Sequence, residues 1–131
     1  MIADRFELLR AKHTSIELMP TPFWIKELVD GKFVMRYINK AYGKAYCIPN
    51  GLDPGEYPGK TDYEYWPSDI ARIYEKNDID TLTRKGSYIF DEKVMDGTNR
   101  LIRTFIKMYV KDQYTGKVFI AGMTIEKDDT N

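Results

Sequence analysis

The chain has one cysteine and one histidine in 131 residues. A lone thiol, Cys47, forms no internal disulfide, which fits a reducing, cytoplasmic compartment. One cysteine and one histidine, His13, fall short of the four ligands of a structural zinc site. Neither sign of charge dominates: twenty basic and twenty acidic residues cancel. A nucleic-acid or membrane-surface binder needs a basic excess, so neither partner is expected. No run of about 18 apolar residues is present to span a membrane. The first residues carry Asp4 and Glu7 and no long apolar core, which is unlike a secretory signal. Internal repeats, low-complexity tracts and an interdomain linker are lacking as well.

What is there is ordinary in bulk and unusual in one respect. Hydrophobic residues make up 43% and charged residues 31%, the proportions of a soluble globular domain of one core. Ten residues are tyrosine. A tyrosine buries a large ring and keeps a hydrogen-bonding tip, so polar-aromatic cavities or surfaces are expected.

The stretch from Lys32 to Tyr46 changes character at Asn39. Phe33, Val34, Met35, Tyr37 and Ile38 suit a pleated strand, whereas Ala41, Tyr42, Ala45 and Tyr46 recur at helical spacing. Asn39 stands at the junction, where its amide can cap the helix. Ahead of it, Phe23 to Val29 reads as a strand and Asp30-Gly31 as a hairpin turn. Residues 47–60 hold three prolines and three glycines and read as a long loop. Thr61 to Glu64 matches a capping box at a short helix. A longer helix follows from Asp69, carrying Ile70, Ile73, Tyr74 and Leu82, and Gly86 is read as its end. Ser87 to Met95, Thr98 to Lys111 and Lys117 to Ile125 read as three strands, the first two joined at Asp96-Gly97. Ile2, Phe6, Leu9, His13 and Ile16 are spaced four, three, four, three, which predicts an amphipathic helix over residues 1–15. Residues 16–126 form the domain and 127–131 a frayed tail. The result is an α+β layer: five antiparallel strands with short helices on one face.

In this order the chain resembles a PAS domain. The resemblance rests on Phe23-Trp24-Ile25-Lys26 with Asp30-Gly31 and Asn39, and on Gly59-Lys60-Thr61-Asp62 with Trp66-Pro67. Ala71, Tyr74 and Asn77-Asp78, then Gly116-Lys117-Val118 and Ala121-Gly122-Met123, complete it. It implies sheet order 2-1-5-4-3, a cavity between the inner sheet face and the helices, and an outer face used in dimers. It also implies a sensory or protein-interaction role, with a homodimer and a kinase, cyclase or other signalling output domain as partners. One departure lies at the end, where Thr124-Ile125-Glu126 stands in place of the Asp-Ile-Thr that many such domains carry.

The candidates for the cavity that the resemblance implies are Ile25, Met35, Tyr37, Tyr42, Trp66, Tyr74, Ile102, Thr104, Ile106, Ile120 and Gly122, which either line it or pack against one another as core; strand alternation puts Met35 and Tyr37 together. The charged Arg103 and Lys107 place the other side of their strand away from it. Tyrosine and threonine among apolar residues supply the polar anchors that a small-molecule pocket needs. Ile2, Phe6, Leu9, Ile38, Phe105 and Tyr109 are assigned to the outer, dimer-forming face. A haem is not expected, because His13 lies ahead of the domain and iron needs an axial ligand inside it. A covalently bound flavin is not expected either, because Cys47 lacks an Asn-Cys-Arg-Phe-Leu-like setting. Catalysis needs a nucleophile beside a base, or carboxylates of separated pKa. The histidine is isolated and the acids sit in turns and helix starts, so the reading is a sensor or interaction module and not an enzyme.

Overall fold

In the computed structural model, residues 15–125 are described. The helix expected over residues 1–15, with Ile2, Phe6 and Leu9, and the tail from 127 therefore lie outside the described residues, save Ser15 itself. A one-turn helix α1 (Ser15–Leu18) leads through Pro20 and Pro22 into β1 (Phe23–Val29) and β2 (Lys32–Ile38). The chain then turns through α2 (Lys40–Tyr42), a π-turn (Gly43–Cys47) and two 3-10 turns. Next come α3 (Asp62–Tyr65) and α4 (Ser68–Arg84), then β3 (Ser87–Asp96), β4 (Asn99–Lys111) and β5 (Val118–Ile125).

The five strands form one antiparallel sheet of order β2-β1-β5-β4-β3, the order that the resemblance implied. Both Asp-Gly pairs make the expected hairpins. Asp30 and Gly31 have φ of 50° and 77°, which is the pair of left-handed residues of a type I′ turn.

Asn39 ties the entrance of the sheet to the helices. Its Oδ1 accepts from Tyr42 N–H at 3.0 Å, capping α2, and from Phe23 N–H at 2.9 Å. Its Nδ2 donates to the carbonyls of Ile16 and Thr21 at 3.0 and 2.9 Å. One buried amide thus holds α1, the start of β1 and α2 in place.

The helices cover one sheet face. On α4 the buried stripe is Ile70, Tyr74, Asp78 and Thr81, so an apolar stripe turns polar halfway along. The expected Ile73 and Leu82 flank it and are only half-buried. The helix ends one residue earlier than the sequence suggests. Lys85 is the left-handed residue, at φ 54°, and donates to the Thr81 carbonyl at 2.9 Å.

Candidate functional site

Register decides which strand residues face the helices. Directly opposed residues of an antiparallel pair share a face. Trp24 opposes Ile38 and Gly122; Lys26 opposes Met35 and Ile120; Gly122 opposes Lys107 and Thr124 opposes Phe105. Lys26 and Lys107 both reach Asp78 of α4, so this is the inner face.

Five of the expected pocket residues lie on the opposite face. Ile25 pairs with Tyr37 and Ala121, and Ile106 with Met123, while Thr104 and Ile102 share their side of β4. Conversely Ile38, Phe105 and Tyr109, assigned to the outer face, point inward. Phe105 meets Trp24 edge-on at 5.3 Å, and Tyr109 opposes Ile120.

Two physical causes underlie these corrections. In β2 a bulge leaves Arg36 without an opposite residue, because Ile25 faces Tyr37 and Lys26 faces Met35. Met35 and Tyr37 therefore fall on different faces despite their spacing of two. Tyr37 is nonetheless fully buried, with its hydroxyl bonded to Glu17 of α1 and its ring beside Phe23. In β1 and β4 the rule that lysines point outward fails, since carboxylates await them inside.

Lys26 and Lys107 anchor a buried ionic network. Lys26 Nζ lies 2.6 Å from Asp62 Oδ2 and 2.8 Å from Asp78 Oδ2. Lys107 Nζ lies 2.9 Å from Asp78 Oδ1 and 2.7 Å from Glu92 Oε2, which also accepts from Asn77 Nδ2 at 2.8 Å. Tyr57 donates its hydroxyl to Asp62 and accepts from Trp66 Nε1 at 2.9 Å. Both ammoniums stand 5.4 Å from the centre of the Tyr74 ring. Lys26, Asp78, Glu92 and Lys107 are at most 2% exposed.

Burial and partners set the protonation of this network. Burial opposes the charge on Lys26, but Asp62 and Asp78 outweigh it and raise its pKa. Burial likewise opposes ionised Asp78, and the two lysines reverse that and lower its pKa. Glu92 differs: burial dominates and raises its pKa above the usual glutamate value, with Lys107 and Asn77 countering only in part. Three carboxyls, those of Asp62, Asp78 and Glu92, thus face the two ammoniums of Lys26 and Lys107.

Beside the network lies a residual cavity of about 10 Å³, room on the order of a single water. Trp24, Tyr42, Tyr46 and Phe105 form its aromatic walls, and Lys26, Tyr74, Glu92 and Lys107 its polar side. Of the expected pocket residues, Tyr42 and Tyr74 line it, whereas Met35, Trp66, Ile120 and Gly122 lie in the surrounding inner layer. Gly122 admits no ligand, because the Trp24 ring lies across it: an added Cβ would sit 2.3 Å from Trp24 Cζ2. Cys47 is fully buried, and burial pushes its thiol up.

Sequence reasoning missed Trp24, Lys26, Asp62, Asp78, Glu92, Phe105 and Lys107. A signal was present. Trp24-x-Lys26 and Phe105-x-Lys107 repeat one pattern, an aromatic ring two residues before a lysine, on two strands. A charge that shares a strand face with a large ring is a candidate for burial beside it.

Comparison with known proteins bears on the fold. The sequence matches no protein-family model and no curated protein. Solved structures do match. The PAS domain of Bordetella pertussis BvgS is 19% identical with a TM-score of 0.69, over 98% of this chain and 90% of that one. A PAS domain from Colwellia psychrerythraea is 11% identical with a TM-score of 0.60, over 92% of this chain and 97% of that one. Vibrio cholerae VqmA, described with LuxR-type receptors and a target DNA, is 22% identical with a TM-score of 0.67. The match covers 92% of this chain and 53% of VqmA. The chain has the PAS fold.

Proposed function

We propose that this PAS-fold chain is a sensory signalling module whose interior takes a small, flat, polar ligand, a ring carrying both a hydrogen-bond donor and an acceptor. The observation that carries the reading is the buried cluster of five ionisable side chains, of which Lys26, Glu92 and Lys107 line the residual cavity opposite its aromatic walls. Stability alone does not call for such a cluster, since well-packed apolar residues of similar volume serve a core as well or better. Binding pockets, in contrast, combine apolar walls with a few converging polar groups, and perturbed titration gathers at functional sites. A cavity of about 10 Å³ means that side chains move to admit the ligand. Lys107 and Glu92 are the natural pair to yield, because a ligand with its own acceptor and donor replaces the partners each loses.

Native mass spectrometry of the full chain purified from cells, together with a thermal-shift screen of small heteroaromatic compounds, tests this. The expected result is a bound mass or a ligand-dependent rise in Tm. Both should vanish in Lys107→Met/Glu92→Gln, which removes the ammonium and the ionisable carboxyl that face the cavity. The reading is lost if neither assay detects a ligand.

A second reading is favoured by the packing itself: every buried side-chain polar atom among the described residues has a partner. On it the domain is an interaction module that pairs through the outer sheet face, as a homodimer coupled to a signalling output domain. Ile89 and Ile102 are 65% and 53% exposed there. Sedimentation then shows a dimer that Ile89→Lys weakens, with no bound small molecule.

A further inference from the structure

A surface groove of about 1200 Å³ opens between the α2 segment and the β3–β4 hairpin, well apart in size from the interior cavity. Its apolar part includes Leu18, Leu101 and Ile102, which are 58%, 37% and 53% exposed, together with Ile125. Its helical wall runs Lys40, Ala41, Lys44, Ala45. Small Ala41 and Ala45 alternate with the long Lys40 and Lys44 along that wall, which brings two ammoniums to the groove. Arg103 adds a third cation from β4, against one acid, Asp96. Lys40 and Lys44 form no ion pair with any described residue, and the Arg103 guanidinium donates to the carbonyl of its neighbour Ile102 at 3.0 Å. The chain as a whole is neutral, so this excess of positive charge belongs to the groove.

We propose that the groove docks an acidic, amphipathic segment of a partner protein. Its apolar side chains seat against Leu101, Ile102 and Ile125, and its carboxylates meet Lys40, Lys44 and Arg103. The volume exceeds what a small molecule needs, roughly 300–1000 Å³, and suits a stretch of polypeptide. Exposed apolar side chains that form a contiguous patch with a charged rim mark such surfaces. The groove also touches segments close to both ends of the described residues, at Leu18, Met19, Pro20 and Pro22 and at Thr124 and Ile125. Tyr46 lines both the groove and the interior cavity, and its hydroxyl lies 2.6 Å from Thr124 Oγ1. A change in either space therefore bears on the other through one side chain. The inference stands whether or not the interior takes a ligand.

The test is selection of displayed random 12-residue peptides against the full chain, followed by fluorescence anisotropy with the winners. Enriched peptides should combine Asp or Glu with apolar residues. Their Kd should rise roughly tenfold or more in Lys40→Glu/Lys44→Glu and in Ile102→Asp, and stay unchanged in Arg72→Glu on the exposed side of α4. These positions are exposed, and unchanged Tm values confirm intact folding. Peptides without an acidic bias, binding that survives the double reversal, or no enrichment at all overturns the proposal. So does peptide binding that appears only after residues 126–131 are removed, which makes the chain's own acidic tail the occupant. Self-association abolished by Lys40→Glu/Lys44→Glu overturns it in favour of a second copy.

Discussion

Glu92 is the residue on which the interior turns. Its carboxyl shares Lys107 with Asp78, and burial raises its pKa above the usual 4.5. A raised folded-state pKa means that the folded protein holds a proton that the unfolded chain has released. The stability this contributes is complete below the unfolded pKa and is lost as pH rises through the folded one. Asp78 acts in the opposite sense. Its lowered pKa contributes stability above 3.8 that is lost as pH falls through the folded value. The wild type should therefore have a lower urea midpoint at pH 8 than at pH 5. Glu92→Gln keeps an acceptor for Lys107 and Asn77 but does not titrate, so it should narrow that gap. Equal gaps in the two proteins would show that Glu92 is not the group responsible.

The end of α4 shows how adjacent residues of one element carry different demands. Lys85 occupies the left-handed region at φ 54°, where a side chain is strained. Gly86 has no positive φ, yet the Tyr88 ring lies against it: an added Cβ would stand 2.6 Å from Tyr88 Oη. Tyr88 is held in turn under Arg84, whose guanidinium carbon is 3.5 Å from the ring centre. Lys85→Gly should therefore raise Tm by about 2–4 °C, corresponding to relief of about 1 kcal/mol. Gly86→Ala should destabilise by at most about 1 kcal/mol, because the outer end of the half-exposed Tyr88 ring has to shift to admit the methyl group. Calorimetry of the two variants checks both signs. A fall in Tm for Lys85→Gly would mean that the lost side chain and the added unfolded-state entropy outweigh the strain.

Across the whole molecule, the ionic network joins the sheet to the helices. It draws on β1, α3, α4, β3 and β4, and Lys26 and Asp78 are 52 positions apart. The sheet closes in a similarly non-local way, with β1 pairing to β5 near the other end of the chain. β1 and β5 each have two strand neighbours, while β2 and β3 are edges. Amides of β1 and β5 that bond within the sheet should exchange only on global unfolding, and those of β3 on its free side much sooner. Hydrogen exchange followed by mass spectrometry would refute this ordering if peptides from β3 were the slowest.

Elements were legible in the sequence because their signals are local. Two Asp-Gly turns, the Asn39 cap and the Thr61–Glu64 box act within a few residues. Thr61 N–H donates to Glu64 Oε1 at 3.0 Å, as the spacing predicted. Five strands, their limits to within a residue or two and the α+β class follow from such signals. The inward faces of β1 and β4 do not, because alternation divides a strand into two faces without saying which is covered. Polarity misleads there: Ile102 and Ile106 face outward, while Lys26 and Lys107 face inward because Asp62, Asp78 and Glu92 arrive from distant segments. The bulge at Arg36, which separates Tyr37 from Met35, depends on register with β1 and is invisible in β2 alone. The groove likewise exists only once Leu18, Lys44, Ile102 and Ile125 are brought together. Local chemistry determined the elements; only the folded chain decided which side of each is inside, since burial of charge depends on partners that sequence distance conceals.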